Sequence, residues 1–174
     1  MNMKNKKIAG LTLMRKTSVR EGFTLIELLV VIGIIGILAA IVLVAVNPGR
    51  QFAQARDSQR RADLLGITNA IYQFAAEHNG NLPDTNTDAN VNSFPSTPTC
   101  IGTGGSCFNL GAAGEIEAAV GQQELVVPTY IAAIPVDPST GTAANTGYTV
   151  YRDTNGRLIA TASGELSGVI SVTR

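Results

Sequence analysis

The feature that most constrains this chain is an uncharged apolar run from Leu28 to Val46. Its nineteen residues are enough to cross a bilayer core as an α-helix. A secretory signal peptide has a shorter apolar segment and ends at a small-residue cleavage site, which Asn47-Pro48-Gly49 does not supply. The run therefore predicts a membrane-spanning helix, and a signal anchor that merely tethers a head is one interpretation of it.

Charge is distributed unevenly along the chain, although the formal net charge is zero. Residues 1–22 hold six basic side chains and one acid, and every lysine lies among them, so residues 23–174 are acidic. An acidic head is a poor electrostatic partner for nucleic acid, and we expect no direct nucleic-acid binding. The excess of basic residues before the apolar run favours an N-terminus that stays in the cytoplasm.

One carboxylate, Glu27, lies inside the otherwise apolar segment 23–46. An unpaired charge in hydrocarbon is strongly penalised, so Glu27 needs either a partner or a position at the level of the lipid headgroups. Its neighbours form the sequence Gly-Phe-Thr-Leu-Ile-Glu-Leu-Leu-Val-Val over residues 22–31. This motif resembles the prepilin signature of type IV pilins and of the pseudopilins of type II secretion and competence systems.

The resemblance implies that a membrane-embedded prepilin peptidase cuts after Gly22 and N-methylates the new terminus at Phe23. Residues 1–22 are then a cleaved basic leader, which is long for the family. Methylation keeps the positive charge of the α-amine, so Phe23 of one subunit can neutralise Glu27 of a neighbour. We expect this pair to fix the axial step between assembled subunits, because an unpaired carboxylate in the apolar bundle is disfavoured.

Three small residues follow within the span. Gly33, Gly36 and Ala40 lie at i, i+3 and i+7, so one side of the helix lets another helix approach closely. We expect residues 23–46 to form a transmembrane helix that also serves assembly, with Gly33, Gly36 and Ala40 at its packing surface.

Residues 47–174 are expected to form a globular head. Asn47-Pro48-Gly49 predicts an interruption of the helix, and apolar residues at helical spacing then predict an amphipathic helix over residues 50–78. Residues 79–114 are rich in Thr, Asn, Ser, Gly and Pro and predict a loop region. A short helix around Glu115–Gly121 is one assignment of the ambiguous segment that follows.

The last part of the chain, about residues 146–173, predicts a β-meander with a turn at Asp153-Thr154-Asn155-Gly156. The predicted fold class is therefore α+β and pilin-like. A long N-terminal helix, made of a membrane span and an amphipathic half, packs against a small antiparallel sheet.

Two cysteines, Cys100 and Cys107, flank a flexible six-residue stretch in the loop region. In an oxidising compartment they can close a small disulfide loop. A zinc site is disfavoured because the chain has one histidine and two cysteines. The segment Pro135-Val136-Asp137-Pro138 resembles one in major pseudopilin heads, where Asp137 is either a turn residue or a calcium ligand, and we favour the turn.

These features predict a structural subunit of a type IV pilus or related surface filament, with a major-type pseudopilin of a secretion or competence pseudopilus as the alternative. The resemblance implies identical or related pilin subunits, the prepilin peptidase and methyltransferase, and the inner-membrane assembly machinery as partners. It places the chain in the cytoplasmic membrane before assembly and in an extracellular filament afterwards. A membrane-tethered enzyme is disfavoured, because a single histidine on an apolar helix stripe leaves little material for a catalytic site. We expect no cofactor and no metal.

Overall fold

A computed structural model describes residues 22–86, 92–116 and 123–174. The predicted leader, residues 1–22, lies outside the described residues except for Gly22. The chain divides into two compact units, Met1–Val46 and Asn47–Arg174.

Helix α1 runs from Leu25 to Ala45 and is apolar over almost its whole length. It begins after Thr24, whose backbone is extended and whose side chain caps the first turn. In the part of the chain that the structure describes, none of the residues of α1 is buried. By length and composition, α1 is a candidate membrane span.

Helix α2 runs from Pro48 to Glu77 and is the long element of the head. Pro48 lies at the start of the helix, where its missing N–H does no harm and its fixed φ angle favours the helical turn. The Asn47 side chain accepts a hydrogen bond from the Arg50 N–H at 3.2 Å and caps the same end. The residues that predict an interruption thus also start a second helix.

Among the described residues, the larger sheet consists of the strands β1 (Thr99–Cys100), β4 (Tyr148–Arg152), β5 (Leu158–Ser163) and β6 (Val169–Thr173). They are antiparallel and lie in the order β1-β4-β5-β6. A smaller antiparallel ladder pairs β2 (Gly114–Ile116) with β3 (Gln123–Leu125), and the short helix α3 follows over Val126–Thr129.

The core of the head lies between α2 and the larger sheet. Alternate residues of β4 and β5 are buried, as expected for strands with one covered face. They pack with the buried stripe of α2, which includes Leu64, Ile67, Ile71 and Phe74. The structure confirms the predicted α+β class, with long helices followed by a small antiparallel sheet.

Two segments of the head differ from the sequence-based expectation. The region predicted as loop, residues 79–114, contains β1, which adds a short edge strand beside β4. Glu115 lies in β2 rather than in a short helix, and residues 117–122 lie outside the described residues. Strands of two or three residues are too short for their periodicity to separate them from a loop or a helix.

Candidate processing and assembly site

The predicted processing junction lies directly before α1. Gly22, Phe23 and Thr24 are non-helical and exposed, and the Phe23 side chain is 89% exposed. The bond between Gly22 and Phe23 therefore lies outside the hydrogen-bonded helix, and cutting it requires no unwinding of α1.

Thr24 and Glu27 form a capping box at the start of α1. The Thr24 hydroxyl oxygen accepts a hydrogen bond from the Glu27 N–H at 3.3 Å. In return, the Glu27 Oε2 atom accepts hydrogen bonds from the Thr24 N–H and from the Thr24 hydroxyl, each at 2.8 Å. The carboxylate also lies at the positive end of the helix, where negative charge is favourable. Glu27 therefore has partners within its own subunit.

The two oxygens of the Glu27 carboxylate differ in their surroundings. Both hydrogen bonds from Thr24 end on Oε2, whereas Oε1 accepts none from the part of the chain that the structure describes. This role of Thr24 was not predicted above, although Thr-x-x-Glu before an apolar run is the usual sequence signal of a capping box.

The small residues of the span are open to neighbours. Among the described residues, a Cβ atom added at Gly33 or Gly36 meets nothing within 4 Å beyond its adjacent residues and the backbone of its own helix. Ala40 lies on the same exposed helix. Their part in helix packing stays a prediction.

Within the head, a buried arginine gathers three carboxylates. Arg60 is 2% exposed, and its guanidinium lies 2.8 Å from Asp57 Oδ1 and 3.2 Å from Glu165 Oε1. It also donates two hydrogen bonds to the two oxygens of Asp137. With Arg56, which donates two hydrogen bonds to Glu165, these residues form the Arg60 cluster. The cluster ties α2 to the segment after Pro135 and to the turn between β5 and β6.

The hydrogen bonds of the cluster keep its carboxylates ionised. The Asp57 carboxylate accepts hydrogen bonds from the Glu165 and Leu166 N–H groups at 2.8 and 3.0 Å. These hydrogen bonds, together with those from Arg60, lower the pKa of Asp57 from 3.8 to about 2. Hydrogen bonds from Arg56 and from the Ser139 hydroxyl lower the pKa of Glu165 from 4.5 to about 2. The same pairing raises the pKa of Arg60, chiefly through Asp137. The cluster is therefore fully charged at neutral pH.

Asp137 is a turn residue and an ion-pair partner at once. Its Oδ1 atom accepts hydrogen bonds from the Ser139 and Thr140 N–H groups at 2.8 and 3.0 Å. This is the geometry of a turn, the role that the sequence favours for Asp137. Hydrogen bonds from Arg60 hold its pKa well below the usual 3.8. Both oxygens of the Asp137 carboxylate therefore accept hydrogen bonds from the guanidinium of Arg60. Within the described residues, no group of three or more histidine, cysteine or acidic side chains is arranged to hold a metal ion.

The role of Arg60 was not predicted from the sequence, since a charged residue in an amphipathic helix is expected on its solvent side. Asp57 pairs with Arg60, whereas the neighbouring Arg61 donates a hydrogen bond to the Ser167 hydroxyl at 3.2 Å. An acid three residues before an arginine is a local signal for such a pair.

Cys100 and Cys107 are joined by a disulfide. The loop that they close docks on the segment before β4 through backbone hydrogen bonds. Thr103 N–H donates to Ala143 C=O at 3.0 Å, and Gly104 N–H donates to Ala144 C=O at 2.9 Å. The disulfide loop is therefore part of the folded head rather than a free appendage.

The N-terminal segment of the chain is similar to that of known proteins. Residues 18–43 match the family model described as the prokaryotic N-terminal methylation motif. The chain is 43% identical over 81 residues to a type IV major pilin protein, PilE1, of Neisseria gonorrhoeae, an alignment that covers 45% of this chain and 46% of that protein. The N-terminal part of the chain is therefore similar to that of type IV pilins.

Other pilins give similar matches. A fimbrial protein of Neisseria meningitidis serogroup A is 42% identical over 76 residues, which is 42% of each chain. The type IV major fimbrial protein FimA of Dichelobacter nodosus is 42% identical over 74 residues, covering 42% of this chain and 45% of FimA. The chain thus matches less than half the length of these relatives. No solved structure gives a significant match.

Proposed function

We propose that this chain is a structural subunit of a type IV pilus or a related surface filament. In this proposal, prepilin peptidase removes the leader after Gly22, the new terminus is methylated at Phe23, and the mature subunit polymerises through α1. The observation that carries the proposal is the exposed surface of α1. This surface is apolar along the full length of the helix and has a single carboxylate, Glu27, in the first turn.

An exposed apolar helix of this length needs a covering. Burial of apolar surface contributes roughly 25 cal/mol per Å², so a helix of 21 residues with no buried side chain is strongly disfavoured in water. The membrane covers α1 before assembly, and the α1 helices of neighbouring subunits cover it in the filament. The subunit therefore moves from the cytoplasmic membrane to the cell surface.

The capping box gives Glu27 two successive environments. Before assembly, Thr24 satisfies Oε2 and lowers the penalty for a carboxylate near the apolar phase. In the filament, Glu27 Oε1 can accept a hydrogen bond from the methylated α-amine of Phe23 of a neighbouring subunit. Glu27 then accepts hydrogen bonds from Thr24 and from the neighbouring amine at the same time. Only the correct axial step between subunits brings that amine and the carboxylate together.

Three variants test this assembly step in a host that carries the pilus machinery. Glu27→Gln keeps the size of the side chain and an acceptor for Thr24 but removes the charge, so we expect membrane-inserted subunits and strongly reduced filaments. Thr24→Ser keeps the hydroxyl and should assemble close to wild-type yield. Glu27→Ala removes both interactions. Normal filament yield and axial spacing from Glu27→Ala would reject the proposed pairing.

The proposed role is structural rather than catalytic. The relatives named above are pilins and fimbrial proteins. The partners that follow from the proposal are other pilin subunits, the prepilin peptidase and methyltransferase, and the inner-membrane assembly machinery. Turnover of a substrate by purified mature protein would contradict the structural role.

A major-type pseudopilin of a secretion or competence system is the second candidate. It is favoured by the segment Pro135-Val136-Asp137-Pro138, in which Asp137 anchors the Arg60 cluster. Electron microscopy of cells at native expression separates the two candidates. Long surface filaments containing this chain support the pilus, and short fibres confined to the envelope support the pseudopilus.

A further inference from the structure

The only histidine of the chain, His78, lies where α2 ends. Its ring stacks on the Phe74 ring with centroids 4.0 Å apart, and its side chain is 12% exposed. Its Nδ1 atom lies 2.8 Å from the Phe74 carbonyl oxygen. Because a carbonyl oxygen can only accept a hydrogen bond, Nδ1 carries a proton in this geometry.

The other ring nitrogen of His78 faces two carboxylates. Nε2 lies 3.5 Å from Glu124 Oε2 and 3.8 Å from Glu115 Oε2. Ionised carboxylates only accept hydrogen bonds. A neutral imidazole with its proton on Nδ1 would therefore turn a lone pair toward two negative groups, whereas a doubly protonated imidazole attracts both.

The two glutamates also face each other across the β2–β3 ladder. Glu115 and Glu124 are direct cross-strand partners, and like charges in that position destabilise strand pairing. A third acid, Glu77, accepts the Tyr130 hydroxyl at 2.7 Å, and the same hydroxyl lies 3.2 Å from Glu124. Among the described residues, no arginine or lysine forms a salt bridge with any of these three glutamates.

We propose that His78 is a pH-sensitive clamp that holds the β2–β3 ladder against the end of α2. The charged imidazole bridges Glu115 and Glu124 and offsets their mutual repulsion. The neutral imidazole neither bridges the two carboxylates nor offsets their repulsion, so the strand pairing of the β2–β3 ladder becomes less stable. Because only the doubly protonated imidazole can bridge the two carboxylates, this part of the head should be tighter in mildly acidic surroundings than in alkaline ones.

The test is amide hydrogen exchange of the mature full-length chain in detergent micelles, at about pH 5.5 and about pH 8. Protection of the ladder amides, corrected for intrinsic exchange rates, should fall about fivefold at the higher pH, which converts to about 1 kcal/mol. Amides of β5 provide the internal reference and should keep their protection. EDTA is present throughout, so that a bound divalent ion contributes nothing.

Two variants separate the clamp from a merely structural histidine. His78→Gln cannot be charged, so its ladder should be poorly protected at both pH values and show no step. The double variant Glu115→Gln, Glu124→Gln removes the repulsion, so its ladder should be well protected at both. A wild-type ladder without the step, or a step that persists in either variant, would overturn the proposal.

Discussion

Replacing Arg60 by methionine tests whether the Arg60 cluster holds the head together. Methionine fills a similar volume but removes the cation from three carboxylates, of which Asp57 and Asp137 are themselves buried. Breaking a buried ion pair by removing one partner costs about 3–5 kcal/mol. We therefore expect Arg60→Met to lower the free energy of unfolding by about 4 kcal/mol, which lowers the Tm by roughly 15 °C for a head of this size.

The assay is thermal and urea unfolding of the full-length chain in micelles, followed by near-UV circular dichroism. The chain has no tryptophan, and its four tyrosines all lie in the head, so the tyrosine signal reports on the packing of the head. The control is Arg157→Met. Arg157 pairs with Asp153 at 2.9 Å but is 57% exposed, so its loss should cost only about 0.5 kcal/mol.

The effect of Arg60→Met should also depend on pH. The pKa values of Asp57 and Glu165 are lowered to about 2 in the folded head, and that of Asp137 is lowered as well. A lowered pKa contributes stability that is complete above the unfolded value of about 4 and disappears as the pH falls through the folded value. The gap between wild type and Arg60→Met should therefore narrow between about pH 4.5 and pH 2. A destabilisation below about 1 kcal/mol at neutral pH, or a gap that does not narrow in acid, would refute the reasoning.

Two further predictions concern the disulfide loop. A Cβ atom at Gly102 would lie 2.3 Å from the Ala144 carbonyl oxygen, whereas one at Gly105 meets nothing within 4 Å. In urea unfolding, Gly102→Ala should therefore lower the free energy of unfolding by about 2 kcal/mol or more. Gly105→Ala should change it by less than about 0.5 kcal/mol. Equal effects of the two alanines would contradict the close backbone packing. Replacing Cys100 and Cys107 together by serine should lower the free energy of unfolding by about 2.5 kcal/mol, the chain-entropy value for a loop this short. Unchanged stability would contradict this entropic contribution of the disulfide.

Local patterns in the sequence were sufficient for much of the fold. The apolar run predicts α1, and the spacing of Leu64, Ile67, Ile71 and Phe74 predicts the buried stripe of α2, because helical periodicity is expressed over many residues. Strands β4, β5 and β6 lie within the β-meander expected over about residues 146–173, since alternating segments bounded by turn residues indicate strands.

The Arg60 cluster could not be predicted in this way. Arg60 is 77 positions from Asp137 and 105 positions from Glu165 along the chain, and no local pattern indicates that an arginine on a helix will be buried by such distant partners. Propensity assigns a charged residue to the solvent side, and tertiary ion pairing overrides it here. The same applies to His78, whose acidic neighbours come from β2 and β3.

The proposed assembly depends most directly on where the mature subunit begins. The decisive measurement is the intact mass, with N-terminal fragmentation, of this chain recovered from sheared surface material. A polypeptide that starts at methylated Phe23 is the expected result, because it places a positive amine at the start of α1 within reach of a neighbour's Glu27. A chain that still begins at Met1, or that is found only as a membrane-bound monomer, would contradict the proposed assembly.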